Sequence, residues 1–256
     1  MTHLLIELYK GLLSRAAQLP SQLRKRLGCP FFPFPRDNWQ QADNRILLVG
    51  QEPFEWGFNS GEHYPWPHPD LWTLDEVLAY PHSVEALTSA YKDHTYEIAS
   101  PYRPTPFTRA FDHFMSQANR HTSGDVVSTN IFRCVLRIDD QPDSRSPLDG
   151  SEDDRQKILN WQRGCLADEI SILNPTAVVF FTGPRYDEIL RDEFRDIEFT
   201  TVDNRPVRAF ARVSHERLPN SSIRASYRTY HPGYLVRSRE RRAWIDEIAS
   251  MVTDKT

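Results

Sequence analysis

Two continuous apolar runs, "RILLVG" (45–50) and "AVVFFTG" (177–183), constrain this chain more than any other feature. Each is short, rich in β-branched or aromatic residues, and free of polar alternation. That pattern fits strands covered on both faces, as in a parallel sheet flanked by helices. Two further segments with strand character, "DVVSTNI" (125–131) and "ASYRTYH" (225–231), complete the set. Helical patterns lie between them. "TPFTRAFDHFMSQAN" opens on a Thr-Pro start signal, and "DRQKILNWQRGCLADEISILNP" runs at length to a stop at Asn174-Pro175. "GPRYDEILRDEF" and "SRERRAWIDEIASMV" follow. This alternation predicts an α/β fold, a three-layer α/β/α sandwich around a central, mainly parallel four-stranded sheet. The segment "EFTTVDNRPVRAFARV" (198–213) alternates and turns at Asp203-Asn204, so it reads as a hairpin insertion.

At 256 residues with 39% hydrophobic content, the sequence fits one domain spanning 1–256 with its own core. Its first segment, "MTHLLIELYKGLLSRAAQL", is broken by Glu7, Lys10 and Arg15. It reads as an amphipathic helix over about residues 2–20, neither a secretion signal nor a membrane span. Three cysteines (Cys29, Cys134, Cys165) are too few and too scattered for a disulfide framework, which points to a reducing cytoplasm. The net charge of −4 hides a segregation. An acidic loop, 139–154, carries seven acids against one arginine, whereas 205–242 holds ten arginines and two acids. Such a basic region can bind a polyanion, or it can simply solvate one face of a helix and a hairpin.

In open α/β sheets, ligands bind beyond the C-terminal ends of the strands. Here those ends read Gly50-Gln51-Glu52-Pro53-Phe54, Thr129-Asn130, Thr182-Gly183 and Tyr230-His231-Pro232-Gly233. A carboxylate, an amide, an aromatic ring and an imidazole are thereby expected at one rim.

In this order the motifs resemble those of the uracil-DNA glycosylase superfamily. Gly50-Gln51-Glu52-Pro53-Phe54-Glu55 is similar to its first motif, Gly-Gln-Asp-Pro-Tyr-His. His231-Pro232-Gly233-Tyr234-Leu235 is similar to its last, His-Pro-Ser followed by a DNA-wedging leucine. "TNIFRC" (129–134), "LNPTAVVFFTG" (173–183) and "PTPFTRAF" (104–111) resemble intermediate segments, and the likeness runs from about residue 29 to 245. The resemblance implies a monofunctional DNA glycosylase that hydrolyses the N-glycosidic bond of a flipped-out pyrimidine and leaves an abasic site. Glu52 would handle the attacking water, His231 would stabilise charge on the departing base, and Asn130 would read its Watson–Crick edge. Gln51, Phe54 and Phe107 would line or stack on the base. Leu235 would fill the vacated stack, and Gly233, Arg237 and Arg239 would contact DNA. No cofactor or metal is expected; the partner is DNA, duplex or single-stranded, and the protein is expected to be a monomer without membrane attachment.

Several positions depart from the family. Glu52 is one methylene longer than Asp, Phe54 lacks the tyrosine hydroxyl that accompanies the gate against thymine, and Gly233 replaces a phosphate-binding serine. A loop insertion at about 63–83 is rich in aromatics and proline. These departures widen the expected substrate from uracil to modified cytosines such as those of phage DNA. With only three cysteines, the four-thiolate iron–sulfur site of the thermostable branch cannot form from this chain. Two other readings stay open: a catalytically silent nucleic-acid-binding module, or a nucleoside or nucleotide hydrolase, on the same fold.

Overall fold

A computed structural model describes residues 1–53, 57–59, 62–64, 72–97, 105–120, 123–137 and 144–253. In chain order, α1 (Thr2–Ala16) and α2 (Ser21–Arg26) precede β1 (Asn44–Gly50), β2 (Gly57–Asn59) and β3 (Glu62–Tyr64). Then come α3 (Leu74–Ala79), α4 (Ser83–Lys92), α5 (Pro106–Ala118), β4 (Gly124–Asn130), β5 (Leu136–Arg137) and β6 (Ser144–Arg145). α6 (Glu152–Gln162), α7 (Cys165–Leu173), β7 (Ala177–Phe180), α8 (Asp187–Glu193), β8 (Phe199–Thr201) and β9 (Phe210–Val213) follow. The chain closes with β10 (Ala225–Thr229), α9 (Pro232–Leu235) and α10 (Arg239–Thr253). Residues Met1–Phe34, Glu52–Ala99 and Asn130–Cys165 form one compact unit; Pro35–Gln51, Ser100–Thr129 and Leu166–Thr256 form another. Among the described residues, no helix is long and apolar enough to cross a membrane.

The second unit is built on a six-stranded sheet in the order β4-β1-β7-β10-β9-β8. β1 and β10 both run parallel to β7, whereas β9 is antiparallel to β10 and β8 to β9. The sheet is therefore mixed and six-stranded, not the mainly parallel four-stranded sheet that the apolar runs suggest. The reason lies in the 198–213 segment. It is not a detached hairpin: Phe210, Ala211 and Arg212 pair with Thr229, Arg228 and Tyr227, which extends the central sheet. Phe210 is fully buried, tilted on Tyr227 at 5.7 Å and stacked on Trp244 of α10 at 6.1 Å. The turn joining β8 to β9 places Asp203 and Asn204 at φ 48° and 59°, a left-handed conformation that short polar side chains tolerate better than most.

Helix boundaries follow local chemistry. Thr105 caps α5 by accepting the Thr108 N–H at 3.1 Å, and Pro106 occupies the first turn, where its missing N–H costs nothing. α5 buries Ala110, Phe111, Phe114 and Ala118, and Phe114 meets Phe181 edge-on at 5.8 Å. The long pattern from 154 to 175 is two helices. It breaks between α6 and α7, where Gly164 takes φ 79°, a left-handed conformation that ends a helix and suits glycine.

In the first unit, α1 buries Leu5, Tyr9, Leu12, Leu13 and Ala16 along one face. Tyr9 stacks on Phe32 at 4.4 Å, and its hydroxyl donates to the Pro33 carbonyl at 2.8 Å. Trp161 of α6 donates its indole N–H to the Leu12 carbonyl at 2.9 Å. Residues 28–31 run beside 133–135, with Gly28 and Phe31 N–H groups donating to the Val135 and Arg133 carbonyls.

A buried ion pair ties β10 to α8. The Arg228 guanidinium, without solvent exposure, donates to Asp187 at 2.9 Å and to the Arg208 carbonyl at 2.9 Å. Burial pushes the Asp187 carboxyl up and the Arg228 guanidinium down, and each partner's charge opposes the shift of the other. Removing one partner leaves the other charge buried, so Asp187→Ala is expected to cost about 3–5 kcal/mol of stability in urea denaturation. The double change Asp187→Leu with Arg228→Met is expected to recover most of that loss.

Candidate active site

Parallel pairing sends the ends of β1, β7 and β10 to the same edge of the second unit's sheet. Directly after β1, Gln51 donates its side-chain N–H to the Thr182 carbonyl at 2.8 Å, which joins the ends of β1 and β7. After β7, Gly183 takes φ 69° and donates its N–H to the Thr229 carbonyl at 2.9 Å. A Cβ there would stand 3.3 Å from the Tyr230 ring, so glycine meets both a conformational and a spatial need.

After β10 the chain presents Tyr230 and then His231, which caps α9. The Gly233 N–H donates to His231 Nδ1 at 3.1 Å, so Nδ1 is an acceptor and the ring proton resides on Nε2. Burial lowers the His231 pKa from 6.5 to about 4, which keeps the imidazole neutral. Phe107 of α5 lies nearly parallel to the imidazole, with centroids 5.8 Å apart and planes 18° apart, and meets Phe181 edge-on at 6.2 Å. The site thus offers a neutral, oriented N–H donor beside an aromatic face, a combination suited to stabilising negative charge that develops on a planar ligand.

Two expectations change here. Gly233 is expected to contact DNA, but its N–H is committed to His231. Leu235 was expected to project as a wedge, yet its side chain is fully buried. Arg237 and Arg239 are exposed.

The first unit holds Glu52 and Asn130. Glu52, the residue after Gln51, is partly buried, and its Oε2 accepts the Ser146 hydroxyl at 3.1 Å. Ser146 is itself buried and also accepts the Leu148 N–H at 3.3 Å, capping the short turn Pro147–Asp149. Ser146 lies inside the acidic stretch 139–154, and the Ser-Pro start signal at 146–147 is its one local mark in the sequence. Asn130, the last residue of β4, is 8% exposed, and among the described residues none hydrogen-bonds its side chain. A nearly buried amide with open donors and acceptors is poised for a ligand. Phe54 lies outside the described residues, as do 65–71 of the loop insertion and 139–143 of the acidic loop.

Cys29, Cys134 and Cys165 are all buried, and burial, aided by the proximity of Cys29, pushes the Cys134 thiol well above its ordinary range. Among the described residues, no group of three or more His, Cys, Asp or Glu side chains is placed to hold a metal ion. No protein-family model matches the chain, and a search of curated proteins returns no match.

The His231 arrangement has a pH signature. Its folded pKa, about 4, lies below the ordinary 6.5, so between these values the unfolded chain binds the extra proton. This group's contribution to stability is therefore complete above about pH 6.5 and is lost as pH falls toward 4. Long-range proton–nitrogen NMR is expected to show a neutral Nε2–H tautomer at pH 6 that protonates only near pH 4. Titration near the ordinary 6.5 would contradict this assignment.

Proposed function

We propose that this chain is a DNA glycosylase of the uracil-DNA glycosylase type, acting on a damaged or modified pyrimidine. The observation that carries the reading is the neutral His231 imidazole, its Nδ1 held by the Gly233 N–H and its ring laid against Phe107. The other supports are the open amide of nearly buried Asn130, the Glu52 carboxylate held by Ser146, and the ordered motifs of the sequence.

In the proposed reaction the target nucleotide leaves the stack, and Phe107 offers a face on which its base can lie. Asn130 reads the Watson–Crick edge with one donor and one acceptor. The bond between C1′ and the base nitrogen breaks, its electron pair leaving with the base, while C1′ takes on oxocarbenium character. His231 Nε2–H donates to the base oxygen where negative charge collects. Water adds to C1′, and Glu52 accepts its proton, which leaves an abasic sugar and a free base. The reading requires Glu52, Asn130 and His231 to act on one nucleotide. It also carries the family's three-layer arrangement, DNA as partner, and a monomeric cytoplasmic protein.

The test uses the full chain with single-stranded and duplex oligonucleotides bearing uracil, hypoxanthine or a substituted cytosine, followed by alkaline cleavage at abasic sites. Strand breaks at a pyrimidine are expected. His231→Ala and Asn130→Ala are each expected to slow them by about 100- to 1,000-fold. Binding without breaks on any substrate would instead support a silent nucleic-acid-binding module, and cleavage confined to free nucleosides would support a nucleoside hydrolase.

A further inference from the structure

The turn after His231 carries a surface that differs from the one the sequence motif implies. α9 spans Pro232–Leu235, and its apolar residue, Leu235, is buried with no solvent exposure. The neighbouring Tyr234 is only partly buried. Its ring contacts Tyr230 at 4.6 Å with the planes tilted by 51°, and Tyr230 immediately precedes His231. Two guanidiniums lie over the Tyr234 ring, Arg241 at 4.7 Å and Arg237 at 5.8 Å. Ser238 anchors this geometry by accepting the Arg241 N–H at 3.2 Å as α10 begins. Arg242 is spent differently, donating to the Val236 carbonyl at 3.0 Å. Among the described residues, Arg237, Arg239 and Arg241 form no ion pair, and Glu240 is the only acid from 237 to 242.

Proteins that open or kink a duplex frequently insert an exposed apolar side chain into the stack to hold it open. Leu235 does not supply one, because burial against its own unit removes it from reach. What the surface does present is an aromatic pair bearing uncompensated arginines, next to the residue that would stabilise the leaving base. Rings for bases and guanidiniums for phosphates are the means by which proteins hold unpaired strands without opening a duplex. We infer that Tyr230, Tyr234, Arg237 and Arg241 form a binding surface for single-stranded DNA, and that an unpaired strand is the preferred form of the substrate. This inference takes the identity of the reaction from the glycosylase reading, but the strand contact is measured without chemistry.

The experiment is fluorescence anisotropy of the full chain with a labelled deoxyoligonucleotide, free or annealed to its complement, with base excision followed on the same samples. The single strand is expected to bind about tenfold more tightly than the duplex. Tyr234→Ala is expected to weaken single-strand binding by about 5- to 150-fold, the effect of losing one stacked base, while Tyr234→Phe, which keeps the ring, restores it. Arg237→Gln with Arg241→Gln is expected to flatten the slope of log affinity against log salt by about 1.4, at about 0.7 per phosphate contact on a single strand. Circular dichroism and thermal melting check that each variant is folded. Equal or tighter duplex binding, no binding to either form, or a Tyr234→Ala variant that binds like wild type would overturn the inference. Tight single-strand binding without excision would reject the glycosylase reading and leave this surface standing.

Discussion

The central pairing of β7 between β1 and β10 fixes where the second unit's chemistry can occur. Ala177 pairs with Ile46 on one side and Ala225 on the other, and Phe180 pairs with Val49 and Arg228, so the three strands run level to their ends. The chain leaves all three at the same edge, and the ladder continues one step beyond the strands. Gln51 replaces a backbone donor at the Thr182 carbonyl, and the Gly183 N–H satisfies the Thr229 carbonyl. Buried backbone groups that lose their ladder partner need another, and these two bonds supply it. His231, two residues beyond β10, therefore emerges from an edge whose backbone groups are paired.

A neutral imidazole can donate a hydrogen bond from Nε2 only if its proton is on that nitrogen. Desolvation removes the cationic form near neutral pH, and the Gly233 N–H selects the tautomer by occupying Nδ1. A protonated ring would set two N–H groups against each other at that point. The glycine also has a spatial role: a Cβ at 233 would lie 3.2 Å from Nδ1, close enough that the imidazole would have to give way slightly. Glycine at 233 therefore has a physical role in seating the histidine.

The legible parts of this protein were those written in short-range patterns. The β1 and β7 runs announced buried parallel strands, and Thr105-Pro106 marked the start of α5 almost to the residue. The strand ends drew attention to Glu52, Asn130 and His231 because polar and ring residues there contradict a core strand. What stayed hidden depended on long-range partners. Nothing local says that 199–213 pairs onto β10, because an edge hairpin and an added pair of strands alternate in the same way. The φ of Gly164 outweighed a helical period that runs straight through it. Leu235 and Tyr234 are adjacent in a four-residue turn, and only the packing of α9 decides which is covered.

Ser146 shows the same limit at the level of a site. A glutamate side chain has more rotamer freedom than an aspartate, so a Glu at position 52 carries a larger entropic cost of being held in one pose. In the proposed reaction that pose matters, since a carboxylate that wanders cannot keep a water aligned on C1′. The Ser146 hydroxyl supplies one restraint on Oε2, and Ser146 is itself fixed by its buried position and by the Leu148 N–H. The restraint thus comes from a stretch that the sequence marks only by its acidic charge. The longer carboxylate and the serine that meets it form a pair, and a substitution at either position alters the constraint on the other.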